Sequence, residues 1–363
     1  MGEAATSPDA ATSIAQADAL VASGAIRDAI DLLTSANRSC RSSDIEQALV
    51  RVRHVGCASL PPPIPPVGRQ PLVATAPSAE IVEVAAADLT ASVVRAGFAR
   101  SGCVLVRGLL SSERVAPLVA GIDATFAAFD RAAADDAFDP EWYEPFPMPD
   151  VVSPANAGAA VALAPGAPSA GRIPARAHRR VTREAAGIWT VDSPRMLFEF
   201  FELIDEIGMG DLITEYLGER PFLSANKCAL RRVPVQDMSG GWHQDGAFLG
   251  EDVAAFNCWI ALTRCGVDAP GLDIVPRRFD HLLEAGSKDA YFKWSLSDDD
   301  VRIAADGVPL ARPVFQAGDA LLFDHRLAHR TATSPTMTME RHAIEAWFFA
   351  PSAFPPSQLP IVY

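Results

Sequence analysis

The sequence predicts a mainly β protein with flanking helices: a double-stranded β-helix of the jelly-roll or cupin-like kind, preceded by an N-terminal helical extension. Two observations carry this expectation. Beyond residue 220 the apolar period is two, in short segments at about 222–233, 242–249, 254–263, 272–275, 311–316, 319–324, 328–333 and 340–349, separated by Gly, Pro, Asp and Ser. Before residue 60 the period is helical, with Ile14, Ala17, Leu20, Val21, Ala25, Ile26, Ala29, Ile30 and Leu33 on one stripe.

Taken in order, residues 1–60 form the helical extension, with Ser23-Gly24 breaking its first run and Ile45, Ala48, Leu49 and Val52 making a later stripe. The pattern is similar to part of a tetratricopeptide-like helix pair, but no second copy follows at the expected period. These helices either mediate protein contacts or pack on the main domain. Residues 61–79, containing Pro61 to Pro66, read as a stiff linker, because proline fixes φ and removes a donor. The catalytic domain then spans 80–363. It opens with a strand at Glu80–Val84, a helix over 87–101, a buried strand at Cys103–Gly108, and a helix capped by Ser111-Ser112-Glu113. Residues 135–190 are rich in Ala, Gly and Pro and read as a lid-like insertion. Arg172, Arg176, His178, Arg179, Arg180 and Arg183 cluster there, either as a clamp for an anionic substrate or as a loop paired with the protein's own acids. Residues 193–217 are helical.

Composition excludes some functions. The chain has 363 residues, 49% hydrophobic and 21% charged, which suffices for a sizeable core. A net charge of -14 leaves no excess of Lys and Arg to replace counterions on a phosphate backbone, which argues against nucleic-acid binding. No apolar run of about 18 residues suggests a membrane span, and MGEAATSPDAATS does not resemble a secretory signal. The six cysteines are scattered without CxxC pairs, as expected of reduced thiols in a cytoplasmic protein.

The chemistry-bearing signal is Gly240-Gly241-Trp242-His243-Gln244-Asp245-Gly246. Residues two apart on a strand share a face, so His243 and Asp245 could reach one metal ion. Two imidazoles and one carboxylate leave the open positions that non-haem iron(II) oxygenases need for a bidentate co-substrate and dioxygen. Downstream stand Gly318-Asp319, Phe323 and His329-Arg330-Thr331, then Arg341 on the next predicted strand. A planar, always-charged fork there suits the far carboxylate of a dicarboxylate.

From Cys103 to about Pro351 these pieces, in this order, resemble the phytanoyl-CoA dioxygenase-like family of iron(II)/2-oxoglutarate oxygenases. The resemblance rests on WHQDGAF, on Trp259-Ile260-Ala261-Leu262, on Gly271-Leu272 to Val275-Pro276, and on the Gly-Asp, Phe, His-x-Thr and Arg series. It implies that His243, Asp245 and His329 bind Fe(2+) and that Arg341 and Thr331 hold 2-oxoglutarate. It also implies that Trp259 lines the co-substrate pocket, and that O2 oxidises a small-molecule substrate with release of succinate and CO2. Pro276-Arg277-Arg278-Phe279-Asp280-His281 departs from the family's Pro-Gly-Ser-His turn, and the lysine some members place near 2-oxoglutarate could be Lys227, with Arg231 a second candidate. His325 and His342 rival His329 as the second imidazole but miss the family spacing. Arg330 rivals Arg341 but alternates away from His329. Thr331 and Trp259 also read as ordinary strand and core residues. A non-catalytic cupin-like metal-binding sensor is the alternative function.

Overall fold

The computed structural model describes residues 9–60, 72, 74, 80–135, 138–147, 151–152, 172–173, 175–235, 241–287, 289–290 and 293–363. Most of the predicted linker and much of the lid-like insertion therefore lie outside the described residues. The fold is a mixed sheet with helices. Among the described residues no helix is long and apolar enough to cross a membrane.

The N-terminal stripe becomes three helices, α1 (Ala10–Ala22), α2 (Ile26–Ser39) and α3 (Ser43–Ser59). Ala17, Ile26, Ala29, Leu33, Ile45, Leu49 and Val52 close a core of their own that also takes in Phe198 and Val362 from the main body. Arg38 binds Glu202, and Arg53 Nη1 donates to the Val362 carbonyl at 2.9 Å. The helices are thus packed on the rest of the chain.

The main body starts with β1 (Val82–Ala85), α4 (Ala91–Ser101), β2 (Cys103–Arg107) and α5 (Ser112–Asp135). Thr90 caps α4 by accepting from the Val93 amide. Gly102 ends it at φ 75°, where an added Cβ would lie 2.9 Å from the Arg277 carbonyl. The insertion leaves a short pair, β3 (Val151–Val152) with β4 (Arg172–Ile173), then α6 (Ala175–Glu184) and β5 (Gly187–Trp189). The helix predicted over 193–217 is two, α7 (Pro194–Glu206) and α8 (Met209–Leu217), parted at Ile207-Gly208, where Gly208 adopts positive φ.

The strand region yields β6 (Phe222–Ser224), β7 (Ala229–Val233), α9 (Gly246–Leu249), β8 (Ala255–Ala261), β9 (Gly271–Ile274), α10 (Asp298–Ala305), β10 (Ala320–Phe323), β11 (His329–Ala332), β12 (Arg341–Phe349) and β13 (Pro360–Val362). A nine-stranded sheet runs β1-β2-β10-β8-β12-β6-β13, with β7 also on β12 and β5 on β7. β9 and β11 form a separate antiparallel pair. One face of the large sheet is covered by helices and by Tyr363: Phe256 packs on Phe98 and Tyr216, and Phe348 on Phe200 and Tyr363. The opposite face looks into the molecule.

Two predicted strands are corrected. Residues 242–249 are not a strand: Trp242 and His243 make isolated bridges to Leu296 and His329, and the chain then turns at Asp245 (φ -61°, ψ -23°) into α9. Residues 311–316 contribute only bridges, Ala311 to Ile274 and Phe315 to Cys265. All six cysteines are free, and Cys228 and Cys258 are fully buried.

Candidate metal centre

His243, Asp245 and His329, far apart in sequence, offer ligand atoms that all lie within 4.8 Å of one another. The backbone explains the meeting. His243 and His329 face each other across an antiparallel bridge, exchanging amide-to-carbonyl bonds of 3.0 and 2.9 Å, and their ring centroids are 4.4 Å apart. Asp245 does not reach the pair by strand alternation. It stands at the start of α9, where its carbonyl accepts from the Phe248 and Leu249 amides, and its Oδ2 lies 3.5 Å from His329 Nε2.

The ring orientations follow from main-chain acceptors. His243 Nδ1 donates to the Gly241 carbonyl at 3.1 Å, and His329 Nδ1 donates to the Leu327 carbonyl at 3.0 Å. Each bond fixes a tautomer that leaves the Nε2 lone pair for a metal. Burial, aided by the neighbouring His329 ring, lowers His243 to about 4, so its imidazole is neutral at pH 7. Burial alone would raise Asp245, but the Lys227 ammonium and the two imidazoles outweigh it and hold the carboxyl below its ordinary range. Two imidazoles that turn Nε2 inward and a buried carboxylate on one face fit ferrous iron.

Gln244, between two of these residues, ties their surroundings. Its Nε2 donates to the Arg326 carbonyl at 2.6 Å and its Oε1 accepts from the Leu283 amide at 2.7 Å. Aromatic rings enclose the centre: Trp294 and Phe323 lie edge-on to the His243 and His329 rings at 5.3 and 5.1 Å, and Phe248 flanks His243.

Of Lys227 and Arg231, it is Lys227 that reaches the centre. Its ammonium lies 2.9 Å from Asp245 Oδ1 and 3.0 Å from Glu345 Oε1. Arg231 instead grips Glu345 Oε2 from Nε and Nη2, at 3.0 and 2.6 Å. Trp347 Nε1 donates to Glu345 as well, at 3.0 Å. Although burial alone would raise Glu345, the Lys227 and Arg231 cations hold it far below the ordinary carboxylate range. Glu345 and Trp294 read in the sequence as unremarkable strand and loop residues, and no local motif marks them.

Arg341 is 3% exposed at the start of β12. Its Nη1 donates 2.8 Å to the Gly271 carbonyl, and its guanidinium lies 5.4 Å over the Trp259 ring. Gly271 pairs with Ala332 on β11, the strand carrying His329 and Thr331, and Thr331 pairs with Leu272. The rivals are engaged elsewhere. His325 Nε2 bonds the Glu251 carbonyl, His342 Nε2 bonds Asp123, and Arg330 pairs with Asp273 and Asp298 over the Trp242 ring. In the inserted segment, Arg179 forks onto Asp192, Arg183 pairs with Asp130, and Arg180 pairs with Glu184. These described arginines are bound to the protein's own carboxylates.

The family model described as Phytanoyl-CoA dioxygenase (PhyH) matches residues 98–343, about two thirds of the chain. No curated protein sequence is significantly similar to it. Among solved structures, EctD from S. alaskensis with 2-oxoglutarate and 5-hydroxyectoine is 18% identical over 71% of this chain and 75% of its own, with a TM-score of 0.44. AviO1 from Streptomyces viridochromogenes Tue57 is 16% identical over 74% and 98%, at 0.42. The carbocyclase SnoK from nogalamycin biosynthesis is 16% identical over 74% and 87%, at 0.40.

Proposed function

Because the chain belongs to the phytanoyl-CoA dioxygenase family and is an iron(II)- and 2-oxoglutarate-dependent oxygenase, we propose that His243, Asp245 and His329 hold the iron and that Arg341 holds 2-oxoglutarate. The observation that carries this reading is the convergence of the three ligand atoms within 4.8 Å, with each imidazole turned inward by its own carbonyl. Bound iron(II) and 2-oxoglutarate supply, from dioxygen, the oxidising power for substrate hydroxylation, with succinate and CO2 released.

The protein supplies positions and surroundings. Lys227 keeps Asp245 ionised. Arg341, seated on Gly271 and Trp259, presents an always-charged fork to the far carboxylate. Thr331 lies on the same strand as His329 and offers a hydroxyl to that carboxylate, while Trp259 forms the wall. The rings of Phe248, Trp294 and Phe323 limit water at the centre. In this reading the large sheet and the β9–β11 pair are the two halves of a double-stranded β-helix. Residues 80–363 are the catalytic domain and 1–60 a helical extension. The substrate is a small molecule. The self-paired arginines of α6 favour a scaffold over an anion clamp there, and six free cysteines favour a reducing, cytoplasmic setting.

The test is anaerobic. Iron(II) and 2-oxoglutarate added to the purified protein should produce the weak visible charge-transfer band of the chelate, and oxygen should then yield succinate. His243→Ala, Asp245→Ala and His329→Ala should each abolish the band. Arg341→Ala should weaken 2-oxoglutarate more than iron. A wild-type protein with neither band nor succinate refutes the assignment.

A further inference from the structure

Asn257 is fully buried in the middle of β8, yet neither Nδ2 nor Oδ1 has a hydrogen-bond partner among the described residues. Burying an amide without partners is unfavourable, and native folds rarely keep one without a reason. The sheet register shows where this side chain looks. Alternation places Asn257 on the same face as Trp259, two residues along, whose ring lies under the Arg341 guanidinium. Its register partners are Phe323 on β10 and Trp347 on β12. Phe323 packs edge-on against the ring of His329, and Trp347 bonds Glu345 and lies beneath the Lys227 ammonium. The opposite face, through Phe256, meets helices. Asn257 therefore points inward, between a ring that touches one imidazole of the centre and a ring that touches the cation beside Asp245.

The position along the strand selects a ligand atom. Two residues of a strand span roughly 6.6 Å, comparable to the length of a five-carbon dicarboxylate. Arg341, over Trp259, marks the end that takes the far carboxylate. Asn257 marks the opposite end.

We propose that Asn257 is a co-substrate contact: its Nδ2 donates to the 2-oxo-acid end of 2-oxoglutarate, the end that chelates the metal. This rests on the reading above and deepens it. The residue gives up stability in the empty protein and recovers it when the 2-oxo acid arrives. A carboxamide suits this task because it donates to a carboxylate without adding a third carboxylate to a centre that already holds Asp245 and Glu345.

The experiment uses the full chain under nitrogen with iron(II), titrating 2-oxoglutarate by the charge-transfer band and by the rise in melting temperature. Asn257→Leu, nearly isosteric and apolar, should melt no lower than wild type when empty and bind 2-oxoglutarate about tenfold to a hundredfold more weakly. Asn257→Asp, which keeps the shape, should be weaker still through repulsion, and it reads the contact even if the leucine variant fails to fold. The end of the molecule is identified with 2-oxovalerate, which lacks the far carboxylate. Asn257→Leu should weaken it by the same factor as 2-oxoglutarate, whereas Arg341→Ala should leave it unchanged. Variants that bind 2-oxoglutarate within twofold of wild type overturn the proposal alone, and leave Asn257 as a residue satisfied by buried water. No band in wild type overturns the parent reading and this one together.

Discussion

Glu345→Ala removes a carboxylate that accepts from Lys227 at 3.0 Å, from Arg231 at 3.0 and 2.6 Å, and from Trp347 Nε1 at 3.0 Å. The three charged side chains are 12–19% exposed, so water replaces little of what is lost. Breaking a buried ion pair by deleting one partner costs about 3–5 kcal/mol. The lower end applies, because Lys227 keeps Asp245 at 2.9 Å and Arg231 keeps the Ala185 carbonyl at 2.8 Å. The expected loss is therefore about 3 kcal/mol, measured by equilibrium urea unfolding of the metal-free protein at pH 7. The double variant with Arg231→Ala should fall short of the summed single losses by about 1–3 kcal/mol. The pH dependence gives a second check. The folded-state acid of Glu345 lies below its unfolded value, so its contribution is full above about pH 4.3 and is lost as pH falls toward the folded value. The gap between variant and wild type should be constant near neutrality and narrow in acid. A loss under about 1 kcal/mol, the size typical of an exposed pair, would refute the reasoning.

Three other outcomes are expected. His178, edge-on to Trp189, is lowered to about 4, first by burial and then by the Lys227 and Arg179 cations. The unfolded chain thus binds the extra proton between about pH 4 and 6.5; wild-type stability should fall with acid across that window by up to about 1.4 kcal/mol per pH unit from this group, and a His178→Phe urea series should be flatter. Gly271→Ala would set a Cβ 2.6 Å from the Gly266 Cα, so β9 must shift, at about 1–3 kcal/mol; because Gly271 also seats Arg341, the 2-oxoglutarate affinity by band titration should drop with it. Arg179→Ala strips Asp192, which is 1% exposed, of a two-point partner at 2.7 Å; the expected loss is about 3–5 kcal/mol, and a melting temperature equal to wild type would contradict the pairing.

Much of the centre was legible because it is encoded in residue types that have few other uses together. His243, Asp245, His329 and Arg341 were identified from order and spacing, and the structure brings the first three within reach of one ion. The stated route for Asp245 was nonetheless wrong. A period of two over 242–249 suggested a strand, yet only Trp242 and His243 find bridge partners, and Gly246, where α9 begins, has no room for a Cβ beside the Leu282 side chain. Edge strands of three residues, β5 and β13, are too short to show a period. The α10 helix was announced by the Ser297–Asp300 capping box but was missed, because its apolar stripe is only two buried residues, Val301 and Ala305. Lys227 and Arg231 are equivalent in sequence; both meet Glu345, and only the fold brings Lys227, in the turn between β6 and β7, to Asp245 as well. Asn257 was invisible for a different reason: in a run as apolar as AFNCWIA, one amide reads as tolerance rather than purpose.

The reciprocal amide bonds between residues 243 and 329 have a further consequence. The spacing of the two imidazoles is set by the main chain, so it persists when the ion leaves. Removing iron should neither unfold this region nor scatter its ligands, and rebinding should be fast, with little heat of ordering. Discrimination among divalent ions then falls to the one ligand outside that closure, Asp245, whose place is set by its own turn and by the Lys227 ammonium.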